Sequence, residues 1–334
     1  MFLRPYRGAR DRIAVAPMMA YTDRHCRYLL RLLNPSVRLY TEMLTAHALV
    51  YGDARRLLEF DASEHPVALQ IGGADPELLA RAAQLGAKAG YDEINLNVGC
   101  PSDRVQSGRF GACLMADPEL VASGVRAMRA AVGEAVPVTV KCRIGIDDRD
   151  DYGFLREFVT TVAAAGVDTF IVHARKAILS GLSPKQNREV PPLRYDVALE
   201  LRQERPDLTI VLNGGLRTSE QVREWLPRFD GVMLGRQAYQ EPYLLAELGR
   251  EWSTEARDPP TREAIVLAYA AYVDRELARG QRLSALLRHV LGLYAGQPAA
   301  RAWRRMLAEQ GSIAGATGDV LRRSLVAFAG RRAA

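Results

Sequence analysis

The chain has 334 residues, of which 48% are hydrophobic and 25% charged, and a formal net charge of +6. That composition excludes a disordered or collagen-like chain and leaves room for a barrel of about 250 residues with a smaller appendage. No apolar run approaches the ~18 residues that span a bilayer, and Met1-Phe2-Leu3-Arg4-Pro5 lacks the apolar core of a signal peptide, so a cytoplasmic protein without a membrane partner is expected.

In chain order, apolar β-rich runs are predicted at 13–18, 37–43, 66–72, 93–99, 137–144, 169–175, 209–215 and 231–236. Helices are predicted between them at 76–89, 118–132, 152–165, 195–205 and 219–226. Asp75-Pro76 and Asp117-Pro118 each set a capping carboxylate before a first-turn proline, with an acid next in line. Strand alternating with helix predicts a parallel sheet, and eight units predict its closure. The expected fold is α/β, a (β/α)8 TIM barrel with a C-terminal all-helical domain. The barrel is assigned to 1–253, a linker with Asp258-Pro259-Pro260 to 254–262, and the helical domain to 263–334, with helices at 262–278, 283–295, 298–309 and 320–329.

Side chains alternate between the faces of a strand, which separates the two surfaces of the barrel wall. In the fourth run Ile94, Leu96 and Val98 face the helices, while Asn95 and Asn97 point inward. The same rule turns Thr139, Lys141 and Arg143 inward, then His173 and Asn213, with Gln70 near the end of the third run. Gln70, Asn97, Lys141, His173 and Asn213 thus converge on the C-terminal mouth, where barrels of this class keep their active sites. Left unpaired, such groups would cost roughly 1–3 kcal/mol each, so a bound polar ligand is expected as their common partner.

The fourth run ends in Asn97-Val98-Gly99-Cys100-Pro101-Ser102, which leaves a thiol in a loop at the same mouth. On that hexapeptide alone a catalytic cysteine and a buried small hydrophobe both remain open. The four cysteines, Cys26, Cys100, Cys113 and Cys142, show no C-x-x-C pair and no zinc or iron–sulfur spacing, so no metal is expected and Cys142 should pack against helices. Asn213-Gly214-Gly215 and Gly235-Arg236 occupy the two loops that commonly hold a phosphate. Together with the amides and Lys141, they fit flavin mononucleotide better than a sugar phosphate. The long connection from Lys176 to Arg194 carries Lys185 and Arg188, both expected to meet nucleic-acid phosphates. The arginine-rich C-terminal segment adds Arg301 and Arg304, three apart on one helix face, as a second such contact.

Val15-Ala16-Pro17-Met18, Leu69-Gln70-Ile71-Gly72, Asn95-Leu96-Asn97-Val98-Gly99-Cys100-Pro101-Ser102, Val140-Lys141, Val172-His173-Ala174-Arg175, Asn213-Gly214-Gly215 and Gly231-Val232-Met233-Leu234-Gly235-Arg236 resemble the ordered motif set of the tRNA-dihydrouridine synthases. Gly181-Leu182-Ser183-Pro184-Lys185, Asn187-Arg188 and Arg301-Ala302-Trp303-Arg304-Arg305 are similar to the A class, which acts on D-loop uridines 20 and 20a. The resemblance implies FMN contacts at Pro17, Met18, Met19, Gln70 and Lys141, then at His173, Asn213, Gly214, Gly215, Gly235 and Arg236. It places the proton donor at Cys100, makes tRNA the substrate, with Asn97 among the residues expected to meet it, and makes NADPH the reductant.

The implied reaction adds a hydride from reduced flavin at C6 of uracil and a proton at C5. A thiol mostly protonated at neutral pH can serve as that acid. No G-x-G-x-x-G follows a strand, which agrees with transient nicotinamide docking. Two other readings each leave part of the chain unexplained. A flavin barrel acting on a free pyrimidine or dihydroorotate leaves the arginine-rich tail unexplained, and a non-catalytic tRNA-binding module leaves the mouth residues unexplained.

Overall fold

A computed structural model of the chain describes residues 6, 12–102, 105, 107–252, 258–298 and 300–332. Among them lie nine strands: β1 Ile13–Val15, β2 Leu39–Tyr40, β3 Leu44–Thr45, β4 Val67–Gly72, β5 Glu93–Val98, β6 Val138–Arg143, β7 Thr169–His173, β8 Thr209–Asn213 and β9 Gly231–Leu234. All pair in parallel in the order β1-β9-β8-β7-β6-β5-β4-β2, with β3 also on β4. Arg38 completes the ring against β1, since its N–H donates to Ile13 O at 3.0 Å and its carbonyl accepts from Val15 N at 2.9 Å. Eight wall positions are thus filled as expected.

The second predicted run is where sequence and structure differ. Of 37–43 only Leu39–Tyr40 is strand, as β2, because the chain leaves the wall after Tyr40 and rejoins it just beyond the run, at Leu44, as β3. Thr41 Oγ1 accepts Gln70 N at 3.0 Å and bridges part of the gap. The first run likewise ends early, at Val15, and a turn follows in which Tyr21 N and Thr22 N both donate to Met18 O at 3.0 Å.

Two apolar clusters confirm the alternation. Ile94, Leu96, Val98, Val140, Cys142, Val172 and Leu212 belong to the outer one, shared with the helices. Inside the barrel sits a smaller set that includes Ala14, Ala68, Ile171, Val211 and Met233. Small alanines there leave space for the polar interior. The helices packing outside include α1 Arg24–Leu33, α2 Ala46–Tyr51, α3 Ala54–Leu57, α4 Pro76–Ala89, α5 Pro118–Val132, α6 Tyr152–Ala164, α7 Tyr195–Glu204 and α8 Ser219–Trp225. Asp75 and Asp117 cap α4 and α5 through backbone N–H groups, as their Asp-Pro starts predict.

After β9 come α9 Arg236–Gln240 and α10 Leu244–Trp252, then the C-terminal helices α11 Arg262–Ala278, α12 Leu283–Val290, α13 Ala300–Gly311 and α14 Asp319–Arg332. Residues 254–257 of the expected linker lie outside the described residues. The helix expected to reach residue 295 stops at Val290 and gives way to turns. Polar and aromatic contacts join this helical region to α1, and the buried apolar residues of both belong to one cluster. Arg24 pairs with buried Glu276 at 2.6 Å, His25 Nδ1 lies 2.6 Å from Tyr272 OH, and the Tyr28 and Tyr272 rings stack 3.9 Å apart. Among the described residues no helix is long and apolar enough to cross a membrane.

Candidate active site

The thiol loop is built by the side chain of Asn97. As β5 ends, Asn97 Oδ1 accepts from Gly99 N at 3.1 Å and Cys100 N at 3.0 Å, an Asx-type turn that swings the chain off the wall. A second contact comes from below, where Ala112 N donates to Cys100 O at 2.9 Å. Gly111 makes that approach possible: its φ is +77°, and a Cβ there would lie 2.5 Å from Cys100 O and 2.4 Å from Val105 Cγ1. Cys100 is half-buried, with Sγ 3.5 Å from Ser102 Oγ. The other thiols differ. Cys26 and Cys142 are fully buried and burial raises both, Cys142 to about 12, while Cys113 donates to Phe110 O at 3.2 Å. Cys142 packs outside the wall, as expected.

The five convergent strand ends do meet at one mouth, but the expectation that they wait unpaired fails for Gln70, Asn97, Lys141 and Asn213. Asn97 Nδ2 donates to Gln70 Oε1 at 2.7 Å, and Gln70 Nε2 to Asn95 Oδ1 at 2.7 Å. Lys141 Nζ donates to Asn213 Oδ1 at 3.0 Å, while Asn213 Nδ2 donates to Met233 O at 2.7 Å. Register sets Lys141 beside Asn97 and Asn213 beside His173, but the hydrogen bonds join other pairs: Asn97 reaches Gln70 on β4, and Lys141 reaches across β7 to Asn213 on β8. Pairing among themselves removes most of the desolvation cost and leaves a preorganised surface.

Charge makes the mouth distinctive. Burial, with Arg143 beside it, pushes Lys141 down to about 8, and Lys141 has no carboxylate ion-pair partner among the described residues. Burial and the cations Arg143, Lys141 and Arg175 hold His173 well below the usual histidine range, so its imidazole is neutral. The rim is basic as well. Burial and the neighbouring Arg236 lower Arg188, and burial lowers Arg175, which also faces Arg217 and Arg236.

Arg143 is the residue that sequence reasoning left without a role. Its side chain is buried, and Nε donates to Gly99 O at 2.8 Å while Nη1 donates to Lys176 O at 2.9 Å and Asn187 O at 3.1 Å. One guanidinium thus ties the thiol loop to the long connection after β7. Asn187, fully buried, shapes that connection from within by bonding the backbone of Ile178 in both directions and the carbonyl of Leu182. The inward position of Arg143 was readable from alternation, but its carbonyl partners were not.

The expected phosphate loops face the same opening. Gly214, at φ +109°, lies so close to His173 that a Cβ would stand 2.5 Å from the imidazole Cδ2, and Tyr195 OH donates to its carbonyl. Gly215 follows it. At Gly235 a Cβ would meet no atom within 4 Å, and Arg236 beside it pairs with Glu189 at 2.6 Å. Pro17 and Met18 are half-buried on the β1 turn, and Met19 is 58% exposed. Lys185 and Arg188 lie exposed on the connection beside the mouth, with Arg188 within electrostatic reach of Cys100. Arg301 and Arg304 are exposed on α13, whose Trp303 and Leu307 are buried, and they have no ion-pair partner among the described residues.

Residues 14–327 match the family model described as dihydrouridine synthase. Similar curated proteins include the tRNA-dihydrouridine(20/20a) synthase of Xanthomonas axonopodis pv. citri, 55% identical over 318 residues that make up 95% of this chain and 94% of that one. The tRNA-dihydrouridine(20/20a) synthase of Escherichia coli K12 is 52% identical over 322 residues, 96% of this chain and 92% of the other. Among solved structures, morphinone reductase superposes with a TM-score of 0.52 at 12% identity, covering 76% of this chain and 88% of its own, a likeness of fold.

Proposed function

The chain belongs to the dihydrouridine synthase family, and from that premise we propose that it reduces the C5–C6 double bond of D-loop uridines 20 and 20a in tRNA. The observation that carries this reading is the half-buried Cys100 at the same mouth as an ammonium with no counter-ion among the described residues, a neutral imidazole and a rim of arginines.

The residues fit a flavin mononucleotide. Lys141 is a half-buried cation whose one hydrogen-bond partner among the described residues is Asn213, suited to an electron-rich ring. Gly214, Gly215, Gly235 and Arg236 present backbone N–H groups and a guanidinium suited to its phosphate, with open space at Gly235. Gln70, His173 and Asn213 would orient the ring, with Pro17, Met18 and Met19 along its edge. Bound there and reduced by NADPH, the flavin supplies hydride chemistry at C6 of uracil.

The chain's own residues do the rest. Cys100 gives the proton from Sγ to C5 as the C6–H bond forms and the C5–C6 π bond is lost, and its thiolate regains a proton from solvent. Asn97 keeps one Nδ2 hydrogen for the uracil, since its oxygen is already committed to Gly99 and Cys100. A uridine must leave its stack to arrive, and Lys185, Arg188, Arg301 and Arg304 grip the surrounding phosphates. The division of labour follows the proposed barrel of 1–253, linker of 254–262 and tRNA-binding helices of 263–334.

The test is a visible spectrum of the purified protein followed by turnover. Flavin bands that NADPH bleaches, with reductant consumed on unmodified tRNA and not on free uridine or dihydroorotate, support the reading. A colourless protein after gentle purification, or turnover on the free bases alone, contradicts it.

A further inference from the structure

Five buried side chains form one hydrogen-bonded column inside the barrel, from the carboxylate of Glu93 up to the Cys100 loop. Above it, Asn97 Oδ1 accepts the N–H groups of Gly99 and Cys100. Asn97 Nδ2 then donates to Gln70 Oε1 at 2.7 Å, Gln70 Nε2 to Asn95 Oδ1 at 2.7 Å, and Asn95 Nδ2 to Thr139 Oγ1 at 2.8 Å. Thr139 Oγ1 donates to Glu93 Oε1. Gln70 is 1% and Asn97 8% exposed, and the other three are fully buried.

Every bond in the column points the same way, and both ends enforce it. Backbone N–H groups can only donate, so Asn97 must turn its oxygen toward Cys100. A carboxylate accepts, so Thr139 must give its proton to Glu93 and take one from Asn95. Glu93 is required as an acceptor on both edges, because Tyr40 OH donates to Oε1 at 2.7 Å and Arg38 Nη1 lies 3.4 Å from Oε2. Flipping any one carboxamide would oppose donor to donor or acceptor to acceptor at its junctions.

We propose that Glu93, Asn95 and Thr139 are positioning residues that fix, through this one-way column, the amide orientation of Gln70 and Asn97 and hence the peptide of Cys100. The inference rests on the proposed reaction for what the mouth does, while the column itself can be tested without it. None of the three reaches the mouth, so each acts through Gln70 and Asn97.

The test compares Thr139→Val, which keeps the shape and removes the hydroxyl, with Thr139→Ser, which keeps the hydroxyl. Glu93→Gln is the second variant, and it carries the same readouts should Thr139→Val not fold. A carboxamide at 93 cannot accept on both edges, and the guanidinium of Arg38 will claim its oxygen. In the purified holoprotein, amide hydrogen exchange at Gly99 and Cys100 is expected to quicken roughly five- to tenfold in Thr139→Val and Glu93→Gln and to match the parent in Thr139→Ser. The kcat for dihydrouridine formation should fall by a similar factor with KM for tRNA unchanged. Parent-like exchange at Cys100 in both Thr139→Val and Glu93→Gln overturns the proposal, as does a loss that Thr139→Ser fails to restore. A parent protein that forms no dihydrouridine removes the proposed function instead, and the exchange rates still decide the column.

Discussion

Arg143 Nε donates to the carbonyl oxygen of Gly99 at 2.8 Å, so a buried cation on β6 holds the peptide immediately before the candidate proton donor on the neighbouring strand. Burial pushes Arg143 down to about 10, with Arg188 and Arg175 adding to the effect. Its hydrogen bonds to three carbonyls offset that penalty and lock two loops together. Arg143→Met is expected to lower stability by roughly 1–3 kcal/mol. Protease sensitivity should rise between residues 176 and 194, and dihydrouridine formation should fall. Thermal melts with mapping of the first cleavage site check this, and cleavage elsewhere would contradict it.

Cys100→Ala is expected to leave reduction of the bound flavin by NADPH at the parent rate while dihydrouridine formation drops about 100-fold or more. Stopped-flow bleaching and product analysis separate the two half-reactions. Full product formation in this variant would remove Cys100 from the mechanism.

Lys141 supplies a pH signature. Its ammonium, pushed down to about 8 by burial and then by Arg143, must be charged to hold the proposed ligand. Flavin affinity is therefore expected to be highest below pH 8 and to weaken as pH rises through 8, with Lys141→Met weak and pH-independent. Stability of the ligand-free protein should move the opposite way. The unfolded chain keeps this proton up to about 10.5 while the folded state releases it near 8, so stability rises between those values. Fluorescence titration with FMN and denaturant melts across that window test both signs.

Much of this site was legible from period alone. Alternation placed Asn95, Asn97, Lys141, Arg143, His173 and Asn213 on the inner face, and the two separate apolar clusters confirm it. Sequence could not show that Lys141 would find Asn213, or Asn97 find Gln70, because those partners depend on how far one strand is offset from the next. It also missed the break between β2 and β3, where the run is apolar enough for a strand but the chain leaves the wall. The arrest of α12 at Val290 escaped for a similar reason: residues 291–295 have helical composition, yet they form turns.

Asp23 links the barrel rim to the C-terminal helices. Burial raises its carboxyl, but the hydrogen bond and charge of His289 and the N–H of Cys26 outweigh it and hold Asp23 at about 2. It caps α1 through His25 N and Cys26 N and lies 3.1 Å from His289 and 3.2 Å from Arg288. Asp23→Ala should cost about 1–3 kcal/mol, more than loss of a cap alone. A melt indistinguishable from the parent would contradict this.

Arg301→Glu combined with Arg304→Glu should weaken tRNA binding at least tenfold and flatten its salt dependence, while NADPH oxidation by the flavin continues. Binding isotherms at two salt concentrations measure both effects. Unchanged tRNA affinity would exclude this helix face from the interface.

The most direct test of the whole account is mass-spectrometric mapping of dihydrouridine in tRNA from cells that lack this protein, before and after incubation with the purified protein and NADPH. Unreduced uridine is expected at positions 20 and 20a beforehand and dihydrouridine there afterward. Dihydrouridine already present at both positions in the deficient cells, or none formed on addition of the protein, would contradict it.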